Sequence, residues 1–382
     1  MPVQFVPLAT SRPILCQNFL LNATAGASGA VVSSLHIIDR VNAFLLGGLT
    51  PREFLRQHWQ KRPLFVRGAL PRFSGLLSEP ELRALAARDD VESRVVERRG
   101  PRYQTQHGPF ARLRPQRRDW TLLVSGVNLH HAGADGLLRR FSFVPQARLD
   151  DVMVSYATPG GGVGPHLDSY DVFLLQGIGR RRWRIAGRAP WIASAGDLVY
   201  LPPGVRHDGV ALDRCFTYSI GFRAPGGAEL GAAFLDWLHE RGLAEARYRD
   251  PGLAPARSSA RLPRDMVAFA ARVLGGIRWT EGDVERFLGE YLTQPKGHVV
   301  FAPRTPKRLA GRVTLEPKTQ LLYSGRRFFV NGDSFLASPR EAAVLRRLAD
   351  ARVVRAADLA QVRLTRLISD WQRRGYVRVE SA

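Results

Sequence analysis

The spacing of apolar residues along the chain changes character at three places. Near Thr50 the run TPREFLRQHWQKRPLFVRG opens with a helix start: a threonine N-cap, a proline in the first turn and an acid near the positive end of the helix dipole. It then passes into the strand-like LFV. SEPELRALAAR repeats the same cap logic from Ser78. Beyond it, SRVVERRG, RYQTQHGPF and DWTLLVSGV read as strands or mixed structure, and from Asp151 to Phe222 the text is strand and turn almost throughout. Short strands divided by Gly and Pro turns predict a small β-barrel or sandwich.

After Pro225 the period becomes helical in ELGAAFLDWLHERGL and PRDMVAFAARVLGGI, with Pro251 to Arg264 as a linker between them. From about Val299 the order reads strand, strand, helix, helix, helix, strand. QLLYSGRRFFVNG forms the hairpin, SPREAAVLRRLAD begins a capped helix, and the whole suits a winged-helix-like module.

Composition adds a charge to this picture. The chain of 382 residues is 45% hydrophobic and 9% aromatic, ample for a sizeable core, and carries a formal net charge of +22. Its basic residues are nearly all arginine, lysine being confined to Lys61, Lys296, Lys307 and Lys318. Such a balance suits an acidic partner such as RNA or a ribonucleoprotein, and suits equally a chain of biased Ala/Gly/Arg composition. Two cysteines at unrelated places, Cys16 and Cys215, support neither a disulfide framework nor a thiolate zinc site, which points to a reducing cytoplasm. No apolar run approaches the roughly 20 residues of a membrane helix, so no membrane partner is expected. Residues 1–45 are expected to be a disordered extension, since Arg12 is the one charged residue before Asp39.

The chemistry gathers in GPHLDSYDVF. Residues i and i+2 of a strand project to one face, so His166 and Asp168 converge on one point. Upstream, TPGGGVGP is a turn that lets backbone pass close to a site; downstream, GDLVYLPPGVRHDG brings His207, which can complete a set of three ligands. Two imidazoles and one carboxylate leave open positions on a metal, as oxygen-activating non-haem Fe(II) enzymes require: a chelating keto-acid takes two and O₂ the third. The keto-acid's far carboxylate then needs a cation. In GRRRWRI, period-2 alternation places Arg181 with Trp183 and Ile185 on the inward face and Arg180, Arg182 and Arg184 on the other, which selects Arg181 as the clamp.

Taken together, GGGVGPHLDSYDVFLLQGIGRRRWRI, GDLVYLPPGVRHDG and YSIGFRAP resemble a JmjC-type cupin oxygenase of the bacterial ribosomal oxygenase group, enzymes that hydroxylate an arginine of 50S ribosomal protein L16. FLRQHWQKRPLFVRG and HGPF match the same group. The resemblance is dense from Phe54 to Pro225 and rests on layout alone in the C-terminal half. It implies that His166, Asp168 and His207 are the catalytic, Fe(II)-holding residues, that Arg181 binds the 2-oxoglutarate C5 carboxylate, and that Ser155 lines the same pocket. It implies an α+β fold: a double-stranded β-helix (cupin/JmjC) core with helical N-terminal additions over 46–225, a helical dimerisation region over 226–298 and a winged-helix-like domain over 299–382. Implied too are a homodimer and a reaction in which 2-oxoglutarate and O₂ become succinate and CO₂ while a protein side chain is hydroxylated.

The pattern is departed from between Trp191 and Gly196, where this chain has only IASA and the family carries a longer insertion that includes a strand. Part of one sheet is therefore expected to be missing. Asp171 could meet a cationic substrate side chain or sit solvated at a strand edge, and the arginines of VLRRLAD and WQRRGY could touch nucleic acid or form an ordinary solvated face. Two other classes compete with the oxygenase: a metal-binding cupin acting on a small molecule, and a non-catalytic, basic nucleic-acid-binding protein. Arg181 on the inward face argues against the former.

Overall fold

The computed structural model describes residues 45–114, 117–243 and 245–380, so the expectation for the N-terminal extension falls almost wholly outside the described residues. The helix read at Thr50 forms as α1 (Pro51–Gln57), where the Thr50 hydroxyl accepts from the Glu53 amide and the Glu53 carboxylate accepts from the Thr50 amide. The same reciprocal cap at Ser78 opens the helix Glu79–Ala86. Both caps satisfy amides that helix geometry leaves without internal partners. Contacts divide the described residues into two compact units, one running up to Ala224 and from Thr293 onward, the other lying within Pro225–Leu292.

Two antiparallel sheets organise the first part of the larger unit. One contains β1 (Leu64–Val66), β2 (Ser93–Arg99), β3 (Arg102–His107), β4 (Trp120–Val124), β5 (Leu149–Ala157), β6 (Val172–Gln176), β9 (Leu198–Leu201) and β11 (Cys215–Phe222), in the order β1-β9-β6-β11-β5-β4-β2-β3. The other contains β7 (Arg181–Ile185), β8 (Trp191–Ala193) and β10 (His207–Ala211), in the order β10-β7-β8. Alternation gives the large sheet two different faces. Val95, Leu122, Val154, Tyr156, Phe216 and Tyr218 join Phe54 of α1 and Leu82 of the Ser78 helix in the main core. Val172, Leu174, Val199 and Leu201, from the opposite face, pack against Trp183, Ile185 and Ala193 of the small sheet in a second core. The space between the sheets is the interior of a double-stranded β-helix, and the short Trp191–Gly196 connection contributes Trp191–Ala193 as the edge strand β8 of the small sheet. Asp197 secures that connection by accepting from Arg67, the Gly68 amide and the Ser194 amide at 2.8–2.9 Å.

The smaller unit is helical, with Gly227–His239, Arg264–Gly275 and Glu281–Thr293, the final residue of which, Thr293, already belongs to the larger unit. Trp237 holds it together: its ring lies 5.7 Å from that of Phe234 and 6.0 Å from that of Phe287, and its indole N–H donates to Glu290 at 2.7 Å.

The C-terminal part of the larger unit contains the expected hairpin, Leu321–Ser324 with Arg327–Val330, and the expected helices Pro339–Ala351, Ala356–Gln361 and Thr365–Arg373. Val377–Glu380 supplies the expected closing strand, and three further short strands, Arg312–Leu315, Asp333–Leu336 and Val353–Arg355, are ones that the sequence reading lacks. Arg312–Leu315 pairs with Val353–Arg355 on one side and Val377–Glu380 on the other, and Asp333–Leu336 extends the hairpin. Strands of three or four residues show too little alternation to be read alone, and only their partners define them. Val313, Leu345, Leu348, Leu359, Ile368 and Trp371 make the core of this module.

Candidate metal centre

His166 and His207 come from separate segments and are joined through their backbones, each amide donating to the other's carbonyl at 3.0 Å. Their rings lie 4.2 Å apart, centre to centre. Each Nδ1 lies 2.9 Å from a backbone carbonyl, that of Gly164 for His166 and that of Val205 for His207. A proton on each Nδ1 therefore fixes the tautomer and leaves both Nε2 lone pairs free. Those two atoms face the Asp168 carboxylate, at 3.8 Å from His166 and 3.6 Å from His207. Such distances are long for hydrogen bonds and suit a cation held between the groups.

The three potential ligand atoms lie within 4.8 Å of one another. His207 is buried, and burial holds its imidazole below the usual histidine range, which keeps it in the neutral form a metal needs. The donor set of two imidazole nitrogens and one carboxylate oxygen fits Fe(II) with positions to spare.

Along β7 the exposure alternates as the sequence predicts, with Arg181, Trp183 and Ile185 buried and Arg182 and Arg184 less so. The pairing sets Ile185 opposite His207, Trp183 opposite Gly209 and Arg181 opposite Ala211, so Arg181 and His207 share one face of the small sheet. A Cβ on Gly209 would come within 2.4 Å of the Trp183 ring, so glycine is what leaves that ring its room opposite β10. Arg180 and Arg184 are engaged outside by Asp213 and Asp208.

Arg181 is 4% exposed and forms no ion pair among the described residues. Its nearest partners are the Gly209 carbonyl at 3.5 Å and the Cys215 sulfur at 3.8 Å, and its Nε has none. A buried guanidinium so weakly satisfied costs free energy unless an anion completes it. Ser155 is buried in the large sheet, opposite Leu123 and Thr217, with Thr217 in turn opposite Gln176. Its hydroxyl donates to the Thr217 carbonyl at 3.5 Å, a weak bond that leaves it available. Thr217 and Gln176 share this layer and escaped the sequence reading, because only cross-strand register brings them to Ser155.

Asp171 is neither solvated at an edge nor open to a substrate. It is fully buried and accepts from Tyr200 at 2.6 Å and Gln60 at 3.1 Å, tying the segment after α1 to the barrel. Arg347, Arg373 and Arg374 of the C-terminal module are paired with Asp358 and Asp370.

A two-sheet barrel with this cluster defines a cupin of the JmjC class, and a model of the JmjC domain matches residues 136–192 and 188–230, in two pieces that overlap at the start of the Trp191–Gly196 connection. A model of the ROXA-like winged helix matches residues 276–378. The chain is 37% identical over 277 residues to the ribosomal protein uL16 3-hydroxylase of Escherichia coli (strain K12), covering 66% of this chain and 74% of that protein. It is also similar to the structure of YcfD, a ribosomal oxygenase from Escherichia coli, with 32% identity and a TM-score of 0.74 over 87% of this chain and 98% of that one. A structure of YcfD in complex with cobalt and 2-oxoglutarate matches with the same identity and TM-score over 86% of this chain and 98% of that one. The chain belongs to the ribosomal oxygenase family.

Proposed function

We propose that the chain is an Fe(II)- and 2-oxoglutarate-dependent protein hydroxylase acting on an arginine of ribosomal protein uL16. The observation that carries this reading is the pairing of a converged His166, Asp168 and His207 with a buried, anion-free Arg181 on the same sheet face. A metal cupin that handles a small molecule without a keto-acid has no use for that guanidinium. In this reading the three ligands hold ferrous ion and the Nδ1 bonds to Gly164 and Val205 keep both imidazoles aimed at it. Bound there, the metal supplies the coupling of 2-oxoglutarate decarboxylation to hydroxylation by O₂. Arg181 takes the far carboxylate of 2-oxoglutarate, with Ser155 lining the same pocket, and Trp183 and Ile185 keep water from the inner end.

The substrate assignment draws support from the relative named as a uL16 3-hydroxylase, and a ribosomal protein substrate supports the reading of a cytoplasmic enzyme. Among the described residues no helix is long and apolar enough to cross a membrane. The helical unit exposes Leu235, Leu274 and Trp279, each more than half accessible, and such apolar surface suits a homodimer formed through it. The test is mass analysis of ribosomal proteins from a strain that lacks this protein. Loss of one oxygen atom from uL16 is expected; an unaltered uL16 overturns the substrate assignment.

A further inference from the structure

We infer that β3, the last strand of the large sheet, is the docking strand to which an extended segment of the protein substrate adds as a further strand. The inference rests on the protein-hydroxylase reading. Two backbone bonds determine which groups of β3 are free. The Arg98 amide donates to the Asp119 carbonyl at 2.8 Å, away from β3, so the facing pair Arg98 and Tyr103 exchanges no bond; the Gly108 amide donates to the Ser93 carbonyl at 2.9 Å, which marks the opposite parity as the ladder. The amides and carbonyls of Tyr103, Thr105 and His107 therefore point off the open edge of the sheet, and among the described residues they meet no partner.

An edge of this kind is a template for another chain, and proteins commonly guard it. The opposite end of the sheet is guarded: β1 has three residues and follows Pro63. The β3 edge spans six residues, and from Tyr103 to His107 it contains no lysine, acid or proline. Residues 104–107 are exposed.

The place of the edge selects its occupant. The Tyr103 ring lies 2.8 Å from where a Cβ on Gly164 would be, and the Gly164 carbonyl is the one that orients His166. At the other end, His107 stands opposite Arg94, Arg94 opposite Leu123, and Leu123 opposite Ser155, so the edge belongs to the same layer as the co-substrate pocket. A strand added about 4.8 Å beyond β3 runs along the mouth of the site and turns every second side chain toward the barrel interior. The backbone that must reach this mouth is that of the substrate.

Thr105→Pro removes an outward amide and spares the ladder to β2, because proline is tolerated where the missing N–H faces off an edge. With uL16 as substrate, kcat/KM should fall roughly tenfold while the KM for 2-oxoglutarate holds; Gln104→Ala should change neither. Independently of any variant, uL16 peptides N-methylated one residue at a time should lose turnover by wild-type enzyme at every second position. Unchanged kcat/KM in Thr105→Pro together with N-methylation tolerated throughout overturns the docking strand alone. Loss of self-association in Thr105→Pro with no change in kcat/KM assigns the edge to a second copy and overturns it too. Wild-type enzyme that leaves uL16 unmodified overturns the hydroxylase reading, and the docking strand with it.

Discussion

His166 and His207 hold each other by a reciprocal pair of backbone hydrogen bonds, and their side chains take no part in that link. The geometry of the metal centre is thus set by main chain, while its affinity is set by imidazole. Replacing either ring by Ala should leave the thermal unfolding midpoint within a few degrees of wild type. Binding of Fe(II) or Co(II), measured by calorimetry without oxygen, should weaken by more than about 100-fold, beyond what loss of a partner outside the ligand set costs. A variant that keeps wild-type affinity removes that histidine from the ligand set.

Arg181 predicts a different kinetic signature. Arg181→Ala strips the pocket of its cation without touching a ligand atom, so metal binding should persist. Truncating one member of a buried charge pair costs about 2–5 kcal/mol, equivalent to a rise in the 2-oxoglutarate requirement of at least roughly 30-fold. Initial rates at varied 2-oxoglutarate check this. An unchanged requirement removes Arg181 from the clamp.

Tyr200 and Asp171 form a structural node. The Tyr200 hydroxyl donates to Asp171 at 2.6 Å and accepts from the Gln60 amide at 2.8 Å, deep in the core. Tyr200→Phe keeps the ring packing against Phe54 and Trp59 but leaves a buried carboxylate and an amide each short of a partner. Such unmade bonds cost about 1–3 kcal/mol each, which urea unfolding should register, with the 2-oxoglutarate KM little altered.

His130 gives stability a pH dependence. Burial pushes its imidazole down to about 4, with the nearby Arg88 charge adding to the effect. An unfolded histidine takes up its proton near pH 6.5, whereas this one does so only near 4 when folded. Between those values the unfolded chain binds more protons, so the His130 contribution is intact above pH 6.5 and is lost as the pH falls toward 4. His130→Gln should flatten the decline of unfolding free energy over that window. A variant with the wild-type slope would assign the decline to other groups.

The candidate site was legible because its signals are local. His166 and Asp168 are two apart, although the strand expected to carry them starts only at Val172 and an isolated bridge to His207 sets His166 instead; Gly-Asp and Pro-Pro-Gly turns bracket the strand that leads to His207, and alternation along one five-residue strand separates Arg181 from its neighbours. What stayed hidden depends on register between distant strands. Asp171 looks like an edge carboxylate until Tyr200 and Gln60 are seen to close over it. RYQTQH reads as a polar strand, and nothing in its letters tells that it ends a sheet beside Gly164. The missing strands of the C-terminal module are too short to carry a period, and the large sheet takes its order from pairings that local pattern does not encode.

The most direct measurement is mass analysis of uL16 after incubation with the protein, Fe(II), 2-oxoglutarate and O₂. The expected result is one added oxygen atom on an arginine, matched by succinate formed, and neither product when the His166→Ala variant is used. Unmodified uL16 with wild-type protein, or equal product from His166→Ala, would contradict it.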